Sequence, residues 1–190
     1  MTDPRTDAPP SDADALAAVQ AVIEAGPGAP LVAPDPVNVP MIRHWCRAFG
    51  ESNPVYLDAD VAMASAHGEQ VAPPGMLGVW TMDTKRNDGG PRDQALRALE
   101  HAGYTAVVAT DYEHEYHQPQ RLGVRLTEQR CIEWIEGPKD TGLGRGFFIG
   151  TRYDYRDADG ELVGVARMKL LKFRPRASAS QAATEAPQEA

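Results

Sequence analysis

Three stretches carry residue types that can do chemistry. The first is Asp111, Glu113, His114, Glu115 and His117. On a strand, Asp111, Glu113, Glu115 and His117 share one face, and Tyr112, His114 and Tyr116 share the other. Three carboxylates and an imidazole suit a divalent cation. No HxH or HExxH pattern accompanies them, so the expectation is no metal: a solvated acidic face and a half-buried Tyr/His face. The second stretch is DTGLGRG at 140–146. It lacks a phosphate-loop signature and opens no helix, so it predicts a glycine-rich turn with a bulge between two strands. Lys139 is its one feature suited to an anion. The third runs from Arg43 to Trp80. It joins a helix, a Gly-Glu-Ser-Asn-Pro turn, a second short helix, a Pro-Pro loop and an apolar segment. Asn53-Pro54 initiates a turn, because the residue before proline is pushed out of the helical region. Two ordered loops leading into a buried helix line a cleft. A nucleophile is not indicated: there is no GxSxG, and neither Cys46 nor Cys131 has an active-site context.

The elements that position these residues follow from composition and periodicity. The 190 residues carry a net charge of -8, with 42% hydrophobic and 24% charged residues. That length predicts one domain. The acidic balance disfavours nucleic acid, whose affinity rests on phosphate contacts. No apolar run is long enough to cross a membrane. The polar, acidic start does not read as a secretory signal, and a cytoplasmic location is expected. Eight of the 16 prolines fall in the first forty residues, so the packed part is shorter than the chain. Residues 1–12 and 177–190 are polar and small, and both are expected to be disordered.

Between them lies one domain, 13–176. Leu16, Val19, Val22 and Ile23 recur at helical spacing. Ile42, Trp45, Cys46 and Phe49 form the apolar face of a second helix, closed at Gly50. Residues 59–65 form a short helix, and Met76 to Asp83 begins a buried one. Residues 95–103 form another, after the breaker KRNDGGPRD at 85–93. Beyond Tyr104 the period becomes two, and strands are expected over 105–119, 121–136, 144–157 and 161–175. Leu122, Val124, Leu126, Cys131 or Ile132, and Trp134 are candidate inward positions. Asp159-Gly160 marks a hairpin. Helices followed by an antiparallel meander predict an α+β fold, a curved sheet wrapped around a helix.

The 43–80 segment resembles the MaoC-like dehydratase family. Phe49, Gly50, Glu51, Asn53, Pro54, Tyr56, Asp58 and Ala62 follow its aromatic-G-D-x-N-P-x-H-x-D motif, with two departures. VAPPG at 71–75 is similar to its V-A-P-P-T loop, and KDTGLGRGFFIGTRYDYRDADGELVG resembles its later strands. The resemblance covers about 13–176 and implies a single hot-dog fold around a central helix. It also implies (R)-specific hydration of enoyl-CoA thioesters, with no cofactor beyond the CoA of the substrate. Glu51 and Tyr56 stand where the family has its catalytic Asp and His. Hydration needs a base for water and an acid for the α-carbon. One extra methylene displaces a carboxylate, and a phenol with a pKa of about 10 is a poor substitute for imidazole. The chain's own half-site is therefore expected to be inactive.

DPVNVPMIRHWCRAFGESNPVY and RMKLLKFRP look most like the non-catalytic MaoC subunit of heteromeric steroid side-chain enoyl-CoA hydratases. That resemblance implies a hot-dog partner carrying the Asp and His, a shortened central helix, and a widened acyl pocket. The breaker at 85–91 is consistent with that shortening. It also brings in a separate OB-fold or aldolase component, because such subunits often continue into a second domain that the chain to Ala190 is expected to lack. Asn53, Tyr56, Pro74, Gly75 and Trp80 are then expected to line or support the cleft, and Lys139 to help hold the CoA anion. From the residues alone, each is equally a turn, loop or core position, Trp80 above all. A self-sufficient homodimeric hydratase using Glu51, and a non-enzymatic acyl-CoA binding protein, are the other two readings.

Overall fold

The computed structural model describes residues 9–82 and 89–176. Residues 1–8 and 177–190, expected to be disordered, and residues 85–88 of the breaker lie outside the described residues; residues 9–12, also expected to be disordered, are described, with Ser11 capping a helix that begins at Asp12.

Alternating apolar residues beyond Tyr104 build strands near the expected ranges, except that 122–126, expected within a strand over 121–136, is turn and coil, so Leu122 and Val124 pack half-buried from a loop. β3 (Ala106–Tyr116), β5 (Thr127–Asp140), β6 (Gly144–Arg156) and β7 (Leu162–Pro175) join the short β1 (Leu31–Val32) in an antiparallel sheet ordered β1-β5-β6-β7-β3. β2 (Val71–Ala72) and β4 (Gln120–Arg121) form a separate small pair. The β6–β7 hairpin turns at Gly160, whose φ of 83° is open to glycine at little cost. The helices are α1 (Asp12–Glu24), α2 (Val39–Phe49), α3 (Pro54–Leu57), α4 (Ala59–Met63) and α5 (Pro91–His101).

Two further expectations are corrected. The expected helix from Met76 does not form over the described residues to Met82: a 3-10 turn at Pro74–Met76 continues as further turns through Thr81. Pro73 and Pro74 withhold two amide hydrogens, and Gly75 and Gly78 weaken helix propagation. The helices laid against the sheet at its other end are α1 and α5. Trp134 does not face inward. The β5 register shifts between Ile132 and Trp134, so Ile135 rather than Trp134 pairs with Ile149. The extra residue reverses the alternation. Trp134 lies over Gly150 on the outer face, 37% exposed, with Lys169 Nζ 5.8 Å from its ring.

The core is two clusters on the inner face. Near one end of the sheet, Ile42, Cys46, Met76, Leu77 and Trp80 pack on Tyr153, Tyr155 and Ala166. Near the other, Val19 of α1 and Ala95 and Leu99 of α5 pack on Ile132, Phe147 and Ile149.

α1 is fastened by its first residue. Asp12 Oδ1 accepts from Tyr104 Oη at 2.6 Å and from Arg174 at 3.0 Å, and Arg145 lies 3.3 Å from Oδ2. The Tyr104 hydrogen bond, with both guanidinium groups, holds the Asp12 carboxyl below its usual range, while burial and Asp12 push the Tyr104 phenol up to about 12. A depressed folded pKa means the stabilisation is present above the unfolded value and is lost as pH falls through the folded one. Asp12→Asn is expected to lower stability by about 1 kcal/mol at pH 7. The difference from wild type should shrink below about pH 4. Urea denaturation at pH 7 and pH 3 checks both.

Candidate functional site

Gly50 closes α2 with φ 69°, and its amide donates to the Cys46 carbonyl. The chain then reverses through Glu51-Ser52-Asn53. Asn53 caps α3, its Oδ1 accepting from the Val55 amide at 3.1 Å, and Asp58 caps α4 in the same way. The Asn-Pro motif is thus a helix start, as its chemistry requires. It carries Tyr56 to the wall of a cavity of about 200 Å³, lined by Tyr56, His67, Pro74, Tyr116, His117 and Gln120 among others. Gln70 Nε2 donates to the Tyr56 carbonyl at 2.6 Å and fixes that turn.

The structure brings Tyr56 and Pro74 to the cavity and puts the other sequence-derived residues around or away from it. Glu51 Oε1 accepts from the Asn53 amide at 2.8 Å, so its carboxylate serves the turn, and it is not among the lining residues. It stands near enough to Tyr56 that burial and the Glu51 charge together push the phenol above its ordinary range. Asn53 is a cap and Gly75 a packing position: a Cβ there would lie 3.1 Å from the Trp45 ring. Trp80 is core. Lys139 pairs with Glu136 beside the β5–β6 turn, whereas the cavity lies near the other end of the sheet, at Tyr116. Lys139 pairs with Gly146, which pairs with Phe173; Tyr116 pairs with Gly164. Nine residues along β7 separate the two ends by roughly 30 Å. Lys139 is therefore not brought to this cavity.

The sequence reading missed the residue that holds the cavity together. Gln120 is buried. Its Oε1 accepts from Trp80 Nε1 at 2.6 Å, and its Nε2 donates to the Pro74 carbonyl at 3.1 Å. One amide thus ties β4, the Pro-Pro loop and the following turn. No local motif marks it, because its partners lie 40 or more positions away. Gln120→Leu strands an indole N–H and a proline carbonyl. It is expected to cost about 2–3 kcal/mol, read as a lower urea midpoint at unchanged slope.

The acidic strand has a different fate. Asp111, Glu113 and Glu115 face outward, where Arg167 sits 3.3 Å from Glu115. Among the described residues, no three His, Cys, Asp or Glu side chains are grouped to hold a metal ion. On the inner side, Tyr112, His114 and Tyr116 line the sheet margin, Tyr112 edge-on to His114 at 4.5 Å and His114 tilted against Tyr116 at 5.6 Å.

The profile of the FAS1-like dehydratase domain region matches residues 32–165. The chain belongs to this family of MaoC-like hot-dog dehydratases. The curled sheet and its neighbours make this a hot-dog fold of the α+β class. A probable enoyl-CoA hydratase alpha subunit of Thermomonospora curvata is 43% identical over 155 residues, 78% of this chain and 49% of that one. The 3-oxo-4,17-pregnadiene-20-carboxyl-CoA hydratase alpha subunit of Mycobacterium tuberculosis is 38% identical over 170 residues, 88% of this chain and 54% of that one. The chain thus spans about half the length of those curated relatives. The ChsH1-ChsH2 complex of M. tuberculosis contains a chain with a TM-score of 0.83 and 37% identity, covering 89% of this chain and 96% of that one. No helix among the described residues of this hot-dog chain is long and apolar enough to cross a membrane.

Proposed function

We propose that this chain is the non-catalytic, pocket-shaping subunit of a heteromeric enoyl-CoA hydratase. The observation that carries the reading is the cavity wall itself. Where the family places an acid–base pair, the carboxylate is held by the Asn53 amide and the second group is a phenol pushed above its ordinary range. Hydration moves a water proton to a base, bonds the hydroxyl to C3 and delivers a proton to C2. A phenol that stays protonated has no base to offer.

The need for a partner is supported by β3. It is an edge strand 11 residues long, with Val107, Val108, Tyr112 and Tyr116 all exposed, the two tyrosines at 50% and 46%. Long apolar edges of this kind are normally covered. The partner on this reading is a second hot-dog chain bearing the Asp and His; that two relatives are named as alpha subunits supports a further subunit. The substrate is a 2-enoyl-CoA with a bulky acyl group, of the steroid type named for the mycobacterial relative. No cofactor is needed beyond the CoA of the substrate.

The test is co-expression with such a partner, followed by co-purification and a hydration assay. A stable complex with activity is expected. Robust turnover by the chain alone, abolished by Glu51→Gln, would overturn the reading in favour of a homodimeric hydratase.

A further inference from the structure

The cavity at Tyr56 offers no base, yet its walls are held in place by side chains committed to nothing else. Gln120 ties Trp80 to the Pro74 carbonyl on one side, and Gln70 Nε2 holds the Tyr56 carbonyl on the other. The depth of the cavity is apolar, with Val71 and Ala72 both buried. Tyr56 supplies one donor to it. The Tyr56 backbone is engaged with Asn53 and Gln70, and its Oη has no acceptor among the described residues. Burial and the Glu51 charge keep the phenol protonated at neutral pH. A ligand atom seated against it must therefore be an acceptor. At the mouth, His67, His117 and Gln118 are exposed, and the His117 ring lies 3.3 Å from the Glu115 carboxylate.

From the inside outward the order is apolar wall, hydrogen-bond donor, polar rim. That order matches a short acyl chain, a thioester carbonyl and the amide-bearing arm of CoA. Size decides against a bulky acyl group here. The cavity holds about 200 Å³, less than the roughly 300–1,000 Å³ of pockets that enclose drug-sized ligands. A tetracyclic acyl group is of drug size and does not fit; a short acyl chain does.

We propose that the Tyr56 cavity binds a short-chain acyl-CoA without hydrating it, the Tyr56 hydroxyl donating to the thioester carbonyl. The inference rests on the heteromeric-hydratase reading, in which the acid and the base come from the partner and the reactant is bulky.

The experiment uses the full chain co-purified with its hot-dog partner. A saturating tetracyclic acyl-CoA that lacks the C2–C3 double bond, and so cannot be hydrated, is present throughout. Butyryl-CoA is titrated in by calorimetry, and S-butyl-CoA, in which a methylene replaces the carbonyl, is the control. Each heterodimer is expected to bind one butyryl-CoA, about fivefold more tightly than S-butyl-CoA. Tyr56→Phe keeps the ring and removes the donor, and should bring the two affinities to within about twofold of each other. Displacement of butyryl-CoA by the tetracyclic thioester, no binding, or a carbonyl preference that survives Tyr56→Phe would overturn the site. Hydration of a tetracyclic 2-enoyl-CoA by the same complex is followed in parallel. Turnover without bound butyryl-CoA sinks the site alone. Bound butyryl-CoA with its carbonyl preference, but no turnover, sinks the hydratase reading alone.

Discussion

Joined to a hot-dog partner that carries the Asp and His, the chain is expected to hydrate a 2-enoyl-CoA at least about a thousandfold faster than it does alone. The magnitude follows from what the isolated chain lacks. A positioned acid or base is worth about 10²–10⁴-fold. Tyr56 is the titratable group at the cavity that stands in the family's motif, and burial and the neighbouring Glu51 charge keep it protonated at neutral pH. Glu51 Oε1 accepts from the Asn53 amide, and Glu51 is not among the residues that line the cavity. In the complex, Tyr56→Phe keeps the ring and removes only the hydroxyl. Its expected effect on kcat is under about twofold, with any change falling on KM. A kcat loss of a hundredfold in Tyr56→Phe would mean that the phenol takes part in the chemistry.

Gly144→Ala is expected to cost about 4 kcal/mol and lower the melting temperature by roughly 10 °C. Gly144 adopts φ 145°, a region closed to residues with a Cβ, and an added methyl group would overlap the Arg174 carbonyl of β7. Gly142 supplies the contrast. It has nothing within 4 Å of its Cβ position, and Gly142→Ala is expected to stay within about 0.5 kcal/mol of wild type. A Cβ at Gly146 would lie 2.5 Å from the Lys172 carbonyl oxygen of β7, so Gly146 belongs with Gly144. If the Gly-x-Gly-x-Gly run served an anion rather than the hairpin, the order of these effects on stability would have no reason to hold. Differential scanning calorimetry of the three alanine variants decides it.

Much of the architecture was legible because its causes are local. Alternation marked the four long strands, Asp159-Gly160 marked the hairpin, and Gly50 marked a helix end; Asn53-Pro54 was legible as a turn, and the structure makes it the start of α3. The family motif also showed which two side chains are replaced. The missed features depend on neighbours distant in sequence. Trp134 was expected inside, and one extra residue in β5 turned it out. Gln120 carried no signal, because its meaning lies in Trp80 and Pro74. Lys139 and Tyr56 look equally eligible in one dimension and lie at opposite ends of the sheet in three.

By itself, then, the sequence determined the type of most elements, the segment from Met76 and α3 excepted, the order of the main helices before the long strands, and the loss of the Asp and His. These are matters of periodicity, backbone conformational preference and residue identity, each readable within a few positions. Only the tertiary structure decided which groups share a cavity, that the Glu51 carboxylate is held by a turn amide, and that the core divides into two clusters. Those outcomes depend on strand register and on packing between segments tens of residues apart, where a shift of one residue exchanges the buried face for the exposed one.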